Sequence, residues 1–368
     1  MEFYNNNTLV NLSNSILKHF NVPIFHETIP EIDKYLVGHK KVAVLLFDGM
    51  GQNIIRKHLK EESFIRSHYV HTMYSVFPPT TAAATTAFLS AKYPIETGWL
   101  AWAQYFKDYN RNIILFRNVD YNTGERIEDD YVAFKYFPFE NIFSLIKRYN
   151  SDVDTFDIKR YPIYEDGPKK LSDSFDIINS KLESSDKCFM YYYFDSPDVE
   201  MHEHGIDANI IHHYVHKIDK FIKKLAKRNK DTLFISIADH GHVNVDYFDV
   251  CEHEDMYSLL ATPLTLEKRS VGFNVQEGKN QLFKDLFNRY YGEYFDLISK
   301  DEIIEKQMYG LGEMGKYVKD FIADFVAIAK DKYCLYASKE MKHLDLFKGN
   351  HAGGTMEERL IDISIFNS

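Results

Sequence analysis

Three short runs along the chain are almost continuously apolar: KVAVLLF at 41–47, KCFMYYYF at 187–194 and DTLFISIA at 231–238. Runs of that length without polar alternation predict strands buried on both faces, as in a parallel sheet held between helices. Between them lie segments whose apolar residues recur at helical spacing: NIIRKHLK, FENIFSLIKRY, SDSFDIINSKL and NIIHHYVHKIDKFIKKLAKR. Strand and helix in alternation imply right-handed crossovers, and so an α/β three-layer sandwich with a mostly parallel central sheet and helices on both faces. From about 262 to 335 the pattern changes. There SVGFNV, a helix NQLFKDLFNRYY, and FIADFVAIA followed by YCLYA read as a strand, a helix and a hairpin that form a small inserted lobe. No repeat or Pro/Ser-rich linker divides the chain, so residues 1–368 are read as one domain carrying that lobe.

Composition narrows the partners. With 368 residues, 45% of them hydrophobic, the chain can bury a substantial core. Lys plus Arg number 44 against 54 Asp plus Glu, and a net charge of −10 argues against a nucleic-acid polymer or an anionic membrane surface. A small phosphorylated substrate would then need local positive charge. Cys188, Cys251 and Cys334 are scattered and odd in number, which suits neither a disulfide framework nor a thiolate zinc site. MEFYNNNTLVNLSNS lacks the basic and apolar regions of a signal peptide, and no run approaches the ~18 apolar residues of a membrane span. The expectation is a soluble cytoplasmic protein, monomeric or homodimeric.

Each apolar strand runs straight into carboxylates: VLLF into Asp48, MYYYF into Asp195 and Asp198, ISIA into Asp239. In a parallel sheet all carboxyl ends share one edge, where open α/β folds bind ligands. A single aspartate there is usually a turn former or a helix cap. Three, two of them accompanied by histidine, favour a site. In PDVEMHEHG, Asp198 and His202 are four apart and share a face if the segment is helical. Asp239 and His240 are adjacent in SIADHGHV, and His351 stands in GNHAGG, where small residues let the backbone approach an ion. Carboxylate oxygen and imidazole nitrogen without thiolate suit zinc, or manganese, and the number of groups suggests two divalent ions. His204, His212, His213 and His216 read as surface residues, and His242 is evenly balanced between that reading and a ligand.

The segment SVFPPTTAAATTAFLSAKYP adds a hydroxyl. Pro78 and Pro79 block helix upstream, Thr80 or Thr81 can cap, and AAATTAFLSAK is a good short helix. A hydroxyl at a helix N-terminus is placed where anions are favoured, and a nearby metal would make it a nucleophile near neutral pH.

Taken in order, FDGMG, FPPTTAAATTAFLSAKYPIETG, PDVEMHEHG, ADHGH and GNHAGG resemble the alkaline phosphatase superfamily, specifically its type I phosphodiesterase and nucleotide pyrophosphatase branch, over nearly the whole chain. The resemblance implies a phosphate-ester or nucleotide hydrolase with two metal ions. In that branch the nucleophilic threonine follows a proline by three positions, which points to Thr81 after Pro78. It implies one zinc ion on Asp48, Thr81, Asp239 and His240, and the other on Asp198, His202 and His351. Asp195 falls outside the D-x-x-x-H pattern and is implied to support the ligands. Nucleotide-cleaving members carry an asparagine shortly after the glycine matching Gly98, whereas GWLAWAQY places Trp102 there. Either Gln104 or a backbone amide takes that role, or the substrate is bound another way, and Trp102 and Gln104 are the substrate-binding candidates. Trp99, Trp102, Tyr105 and Phe106 form either a wall for an apolar leaving group or ordinary core. A sulfatase lacks support because no Cys lies in C/S-x-P-x-R, and a phosphoglycerate-mutase-like enzyme would use serine. A phosphonate hydrolase such as phosphonoacetate hydrolase, or a phosphomonoesterase, shares the ligand set and stays open, as does a non-catalytic metal-stabilised binding protein.

Overall fold

Six strands form the central sheet of the computed structural model, which describes residues 6–128, 130–160, 163, 165–341 and 346–367. They are β1 (Lys41–Phe47), β2 (Tyr69–Tyr74), β3 (Asp154–Lys159), β4 (Cys188–Phe194), β5 (Thr232–Ile237) and β6 (Leu360–Phe366), in the order β2-β6-β5-β1-β4-β3. Parallel pairing joins β1 to both β4 and β5, with Val44 opposite Tyr191 on one side and Ile235 on the other, and joins β3 to β4. The sheet is mixed, because β6 runs antiparallel to both β2 and β5. β6 reads LIDISIF, and its inward polar groups are satisfied: Asp362 accepts from Gln52 at 2.7 Å and Thr72 at 2.8 Å.

Successive side chains of a strand point to opposite faces, and β4 shows what covers each. Tyr191 stacks on Phe88 of the helix Thr81–Ser90, while Tyr192 donates to Ser174 of the helix Leu171–Glu183 and lies against Phe221 of the helix Asn209–Arg228. Helices thus cover both faces, and every residue of β4 is buried, as its unbroken apolar run demands. No helix among the described residues is long and apolar enough to cross a membrane.

A second, antiparallel sheet of seven strands runs Phe295–Ser299, Phe325–Ala329, Ser270–Phe273, Thr265–Leu266, Ala103–Phe106, Arg111–Ile114, Val119–Asp120. The segment beginning near 262 therefore shares its sheet with 103–120. The hairpin expected of FIADFVAIA and YCLYA does not form. Phe325–Ala329 is already paired on both edges, with Ser270–Phe273 and Phe295–Ser299, so Tyr333–Tyr336 pairs instead with Asp246–Asp249. Trp99 and Phe106 are core residues here, packed with Ile113, Val132 and Phe137.

Candidate active site

The in-step register of β1, β4 and β5 brings their carboxyl ends to one edge. There Asp48 N–H donates to Phe194 O at 2.9 Å, and Asp198 N–H to Asp48 O at 3.2 Å. Gly49, with φ of +69°, turns the chain so that its N–H donates to Asp239 Oδ1 at 3.0 Å. His240 N–H donates to the same oxygen at 3.0 Å. Asp198 and His202 lie one turn apart on the helix Asp198–His204, as their spacing predicts.

Two clusters result: Asp48, Asp239 and His240, and Asp198, His202, His242 and His351. In the first, His240 Nε2 is 3.4 Å from Asp48 Oδ1 and 3.5 Å from Asp239 Oδ2. In the second, Asp198 Oδ2 is 3.3 Å from His202 Nε2, and Asp198 Oδ1 is 3.2 Å from His242 Nε2 and 3.8 Å from His351 Nε2. The rings of His240 and His351 stack at 3.8 Å and join the clusters.

The second nitrogens of three histidines are tied down. His202 Nδ1 faces Gly349 O at 3.0 Å, His240 Nδ1 faces Gly241 O at 3.0 Å, and His351 Nδ1 faces Pro79 O at 3.1 Å. A carbonyl oxygen only accepts, so Nδ1 carries a proton, which leaves Nε2 as the nitrogen that would bind an ion, the orientation metal-ligating histidines adopt. Two atoms bound to one tetrahedral ion at about 2.0–2.1 Å stand about 3.3 Å apart. Most of the contacts above fit that spacing. Asp198 Oδ1 and Asp239 Oδ2 are buried with no hydrogen-bond partner among the described residues, as expected of oxygens that would face a cation. Either cluster could hold a metal ion.

The electrostatics agree. Burial, with the charges of Asp239 and Asp198, pushes the Asp48 carboxyl well above its ordinary value, and burial raises Asp239 too. Burial would also raise Asp198, but His202, His242 and His351 hold it well below the usual range. Burial lowers His242 to about 4, leaving a neutral imidazole.

The Thr81 hydroxyl lies between these groups, 3.3 Å from Asp48 Oδ2 and 3.3 Å from His240 Nε2, at the first position of the helix Thr81–Ser90. Thr80 takes the N-cap position before it and is fully buried. Elsewhere, Asp195 pairs with Arg160. His204 and His212 are exposed, as is His213, and His216 is half-buried. Half-buried Trp102 donates its backbone N–H to Glu267 at 2.7 Å, and its ring faces Arg117. Gln104 is fully buried and accepts from Leu100 N–H at 2.7 Å.

Sequence reasoning missed two participants. Tyr193 donates its hydroxyl to Asp48 Oδ2, yet in CFMYYYF it looks like one more apolar strand position. Glu267 accepts from Trp102 and is pushed up to about 7 by burial, and no motif marks it.

A mixed α/β sheet with buried Asp/His clusters and a hydroxyl at the carboxyl edge of its parallel strands is the arrangement of the alkaline phosphatase-like hydrolases. The chain belongs to the type I phosphodiesterase / nucleotide pyrophosphatase family, whose model matches residues 42–354. Among solved structures it is similar to murine ectonucleotide pyrophosphatase / phosphodiesterase 5, at 18% identity and TM-score 0.65 over 88% of this chain and 87% of that one. An inactive threonine-to-alanine variant of the murine protein, solved with AMP, gives 17% and 0.64 over 88% and 87%. Phosphonoacetate hydrolase from Sinorhizobium meliloti 1021, in complex with phosphonoformate, gives 12% and 0.66 over 94% and 92%. Comparison with curated protein sequences returns no match.

Proposed function

We propose that the chain is a single catalytic unit that hydrolyses a phosphodiester or nucleotide pyrophosphate through Thr81, with one divalent ion on Asp48, Thr81, Asp239 and His240 and another on Asp198, His202 and His351. One observation carries the reading: a helix-terminal hydroxyl stands 3.3 Å from a buried carboxylate and 3.3 Å from an imidazole. Bound ions, zinc or manganese by the donor set, supply the positive charge that activates the hydroxyl and neutralises the phosphoryl and departing oxygens.

The residues do the rest. Asp48 accepts from Thr81 Oγ1, which orients the hydroxyl and gives its proton a destination. The first-turn N–H groups of the helix at Thr81 face an incoming anion and hold phosphoryl oxygens. Thr81 Oγ1 attacks phosphorus in line with the departing oxygen, and water hydrolyses the resulting phosphothreonyl ester. Trp102 and Gln104 remain the proposed contacts to the rest of the substrate, with Trp102 beside Arg117 the more accessible. The AMP complex of the murine variant supports a nucleotide, and its inactivity supports a threonine nucleophile. Three free cysteines support a reducing, cytoplasmic setting.

The similarity in fold to a phosphonoacetate hydrolase keeps phosphonate cleavage as the alternative. Hydrolysis of a chromogenic phosphodiester against its monoester and a phosphonate decides between them. The proposal expects the diester to be cleaved fastest; turnover of the phosphonate alone would replace it.

A further inference from the structure

We infer that His242 is a fourth protein ligand of the ion held by Asp198, His202 and His351, so that the two metal positions differ in kind. This rests on the two-ion reading above. His242 lies outside the ligand set that the family resemblance implies, yet it is fully buried, and its Nε2 is 3.2 Å from Asp198 Oδ1, nearer than His351 at 3.8 Å. Its ring centre is 4.7 Å from that of His202 and 5.4 Å from that of His351. Neither ring nitrogen makes a hydrogen bond among the described residues, and Asp198 Oδ1 makes none either. A buried imidazole and a buried carboxylate oxygen, 3.2 Å apart with no hydrogen bond to either among the described residues, are explained together by a cation between them.

The backbone makes room for this ring. A side chain at Gly349 would meet His242 Cε1 and Nδ1 at 3.0 Å, and Asn53 Nδ2 donates to His242 O at 2.7 Å, fixing the turn from which the ring projects.

The consequence is chemical. Asp198, His202, His242 and His351 offer three imidazoles and one carboxylate. Asp48, Asp239, Thr81 and His240 offer three oxygen-bearing groups and one imidazole. Nitrogen-rich sites favour zinc and its late-transition neighbours, whereas oxygen-rich sites accept manganese and magnesium more readily. The Asp198 position is therefore the tighter one and the one selective for zinc or cobalt, and the Thr81 position exchanges more freely.

The test strips the full-length protein with chelator and titrates it with Co2+, following visible absorption and metal retained per chain, for wild type, His242→Leu and His202→Leu. Circular dichroism of each variant in excess metal checks that it is folded. Wild type should fill two positions in two resolved steps, and His242→Leu should weaken the first step by at least about tenfold and change its absorption, as His202→Leu does. Mn2+ should compete for the second step alone. Loss of an ion in His202→Leu with His242→Leu unchanged would overturn the role of His242 and leave the two-ion reading intact. Wild type binding no Co2+ would overturn both.

Discussion

Arg269 and Glu358 form a fully buried ion pair, with Arg269 Nε 2.6 Å from Glu358 Oε1 and both side chains 0% exposed. Glu358 also accepts from Gly353 N–H at 2.7 Å, and Arg269 donates to the Asp331 and Tyr333 carbonyls at 2.7 and 2.9 Å. The pair thus ties the segment after His351 to the second sheet. Removing one partner of a buried pair strands the other, so Glu358→Gln should destabilise the protein by about 3–5 kcal/mol, measured by denaturant unfolding.

The same pair sets an acid limit. Burial alone would raise the Glu358 carboxyl, but Arg269, Thr355 and Gly353 hold it below its ordinary 4.5. Because the folded value is the lower one, its contribution is complete above about 4.5 and is lost as pH falls through the folded value. In chelated protein, the wild-type Tm should therefore drop more steeply below about pH 4.5 than that of Glu358→Gln. Parallel curves would show that the pair does not set the acid limit.

Thr81→Ala leaves Asp48 and His240 in place but removes the proposed attacking oxygen. Turnover of a diester should fall by about three orders of magnitude or more, while Thr81→Ser retains part of it. Unchanged turnover in Thr81→Ala would end the nucleophile assignment.

Tyr193→Phe tests the support of a ligand. Tyr193 is buried, and its hydroxyl donates to Asp48 Oδ2. Its loss should weaken the ion at Asp48 by about 10–100-fold and leave the Asp198 position unchanged, read by metal retained after dialysis against graded chelator.

Gly49 is needed for its shape. At φ +69° an added Cβ would lie 2.8 Å from Met201 Cε and 3.0 Å from Asp198 Cβ. Gly49→Ala should therefore displace Asp198 and lower metal retention at that position, while Gly38→Ala, with nothing within 4 Å, should not. Equal retention in both variants would contradict the placement.

The contrast between β1, β4 and β5 and the other strands shows how much of the fold the chain displays openly. The first three are almost continuously apolar because helices cover both faces, and NIIHHYVHKIDKFIKKLAKR matches the observed helix Asn209–Arg228. β2 and β6 carry His71 and Asp362 among their apolar residues, and their partners Asn7 and Gln52 are visible only in three dimensions. At the site, Asp48, Asp198, His202, Asp239, His240 and His351 stood out because their types and spacing point to ligation. Tyr193 and Glu267 did not, since they act through the groups they support, and contact between distant segments leaves no local pattern. Pairing defeated the hairpin reading for the same reason: only the sheet shows that Phe325–Ala329 has no free edge.

An anomalous-difference map from a crystal of zinc-loaded protein puts the central claim to the most direct test. Two peaks are expected, one among Asp48, Thr81, Asp239 and His240 and one among Asp198, His202, His242 and His351. A map with no peak at either cluster, from protein that still cleaves the diester, would contradict it.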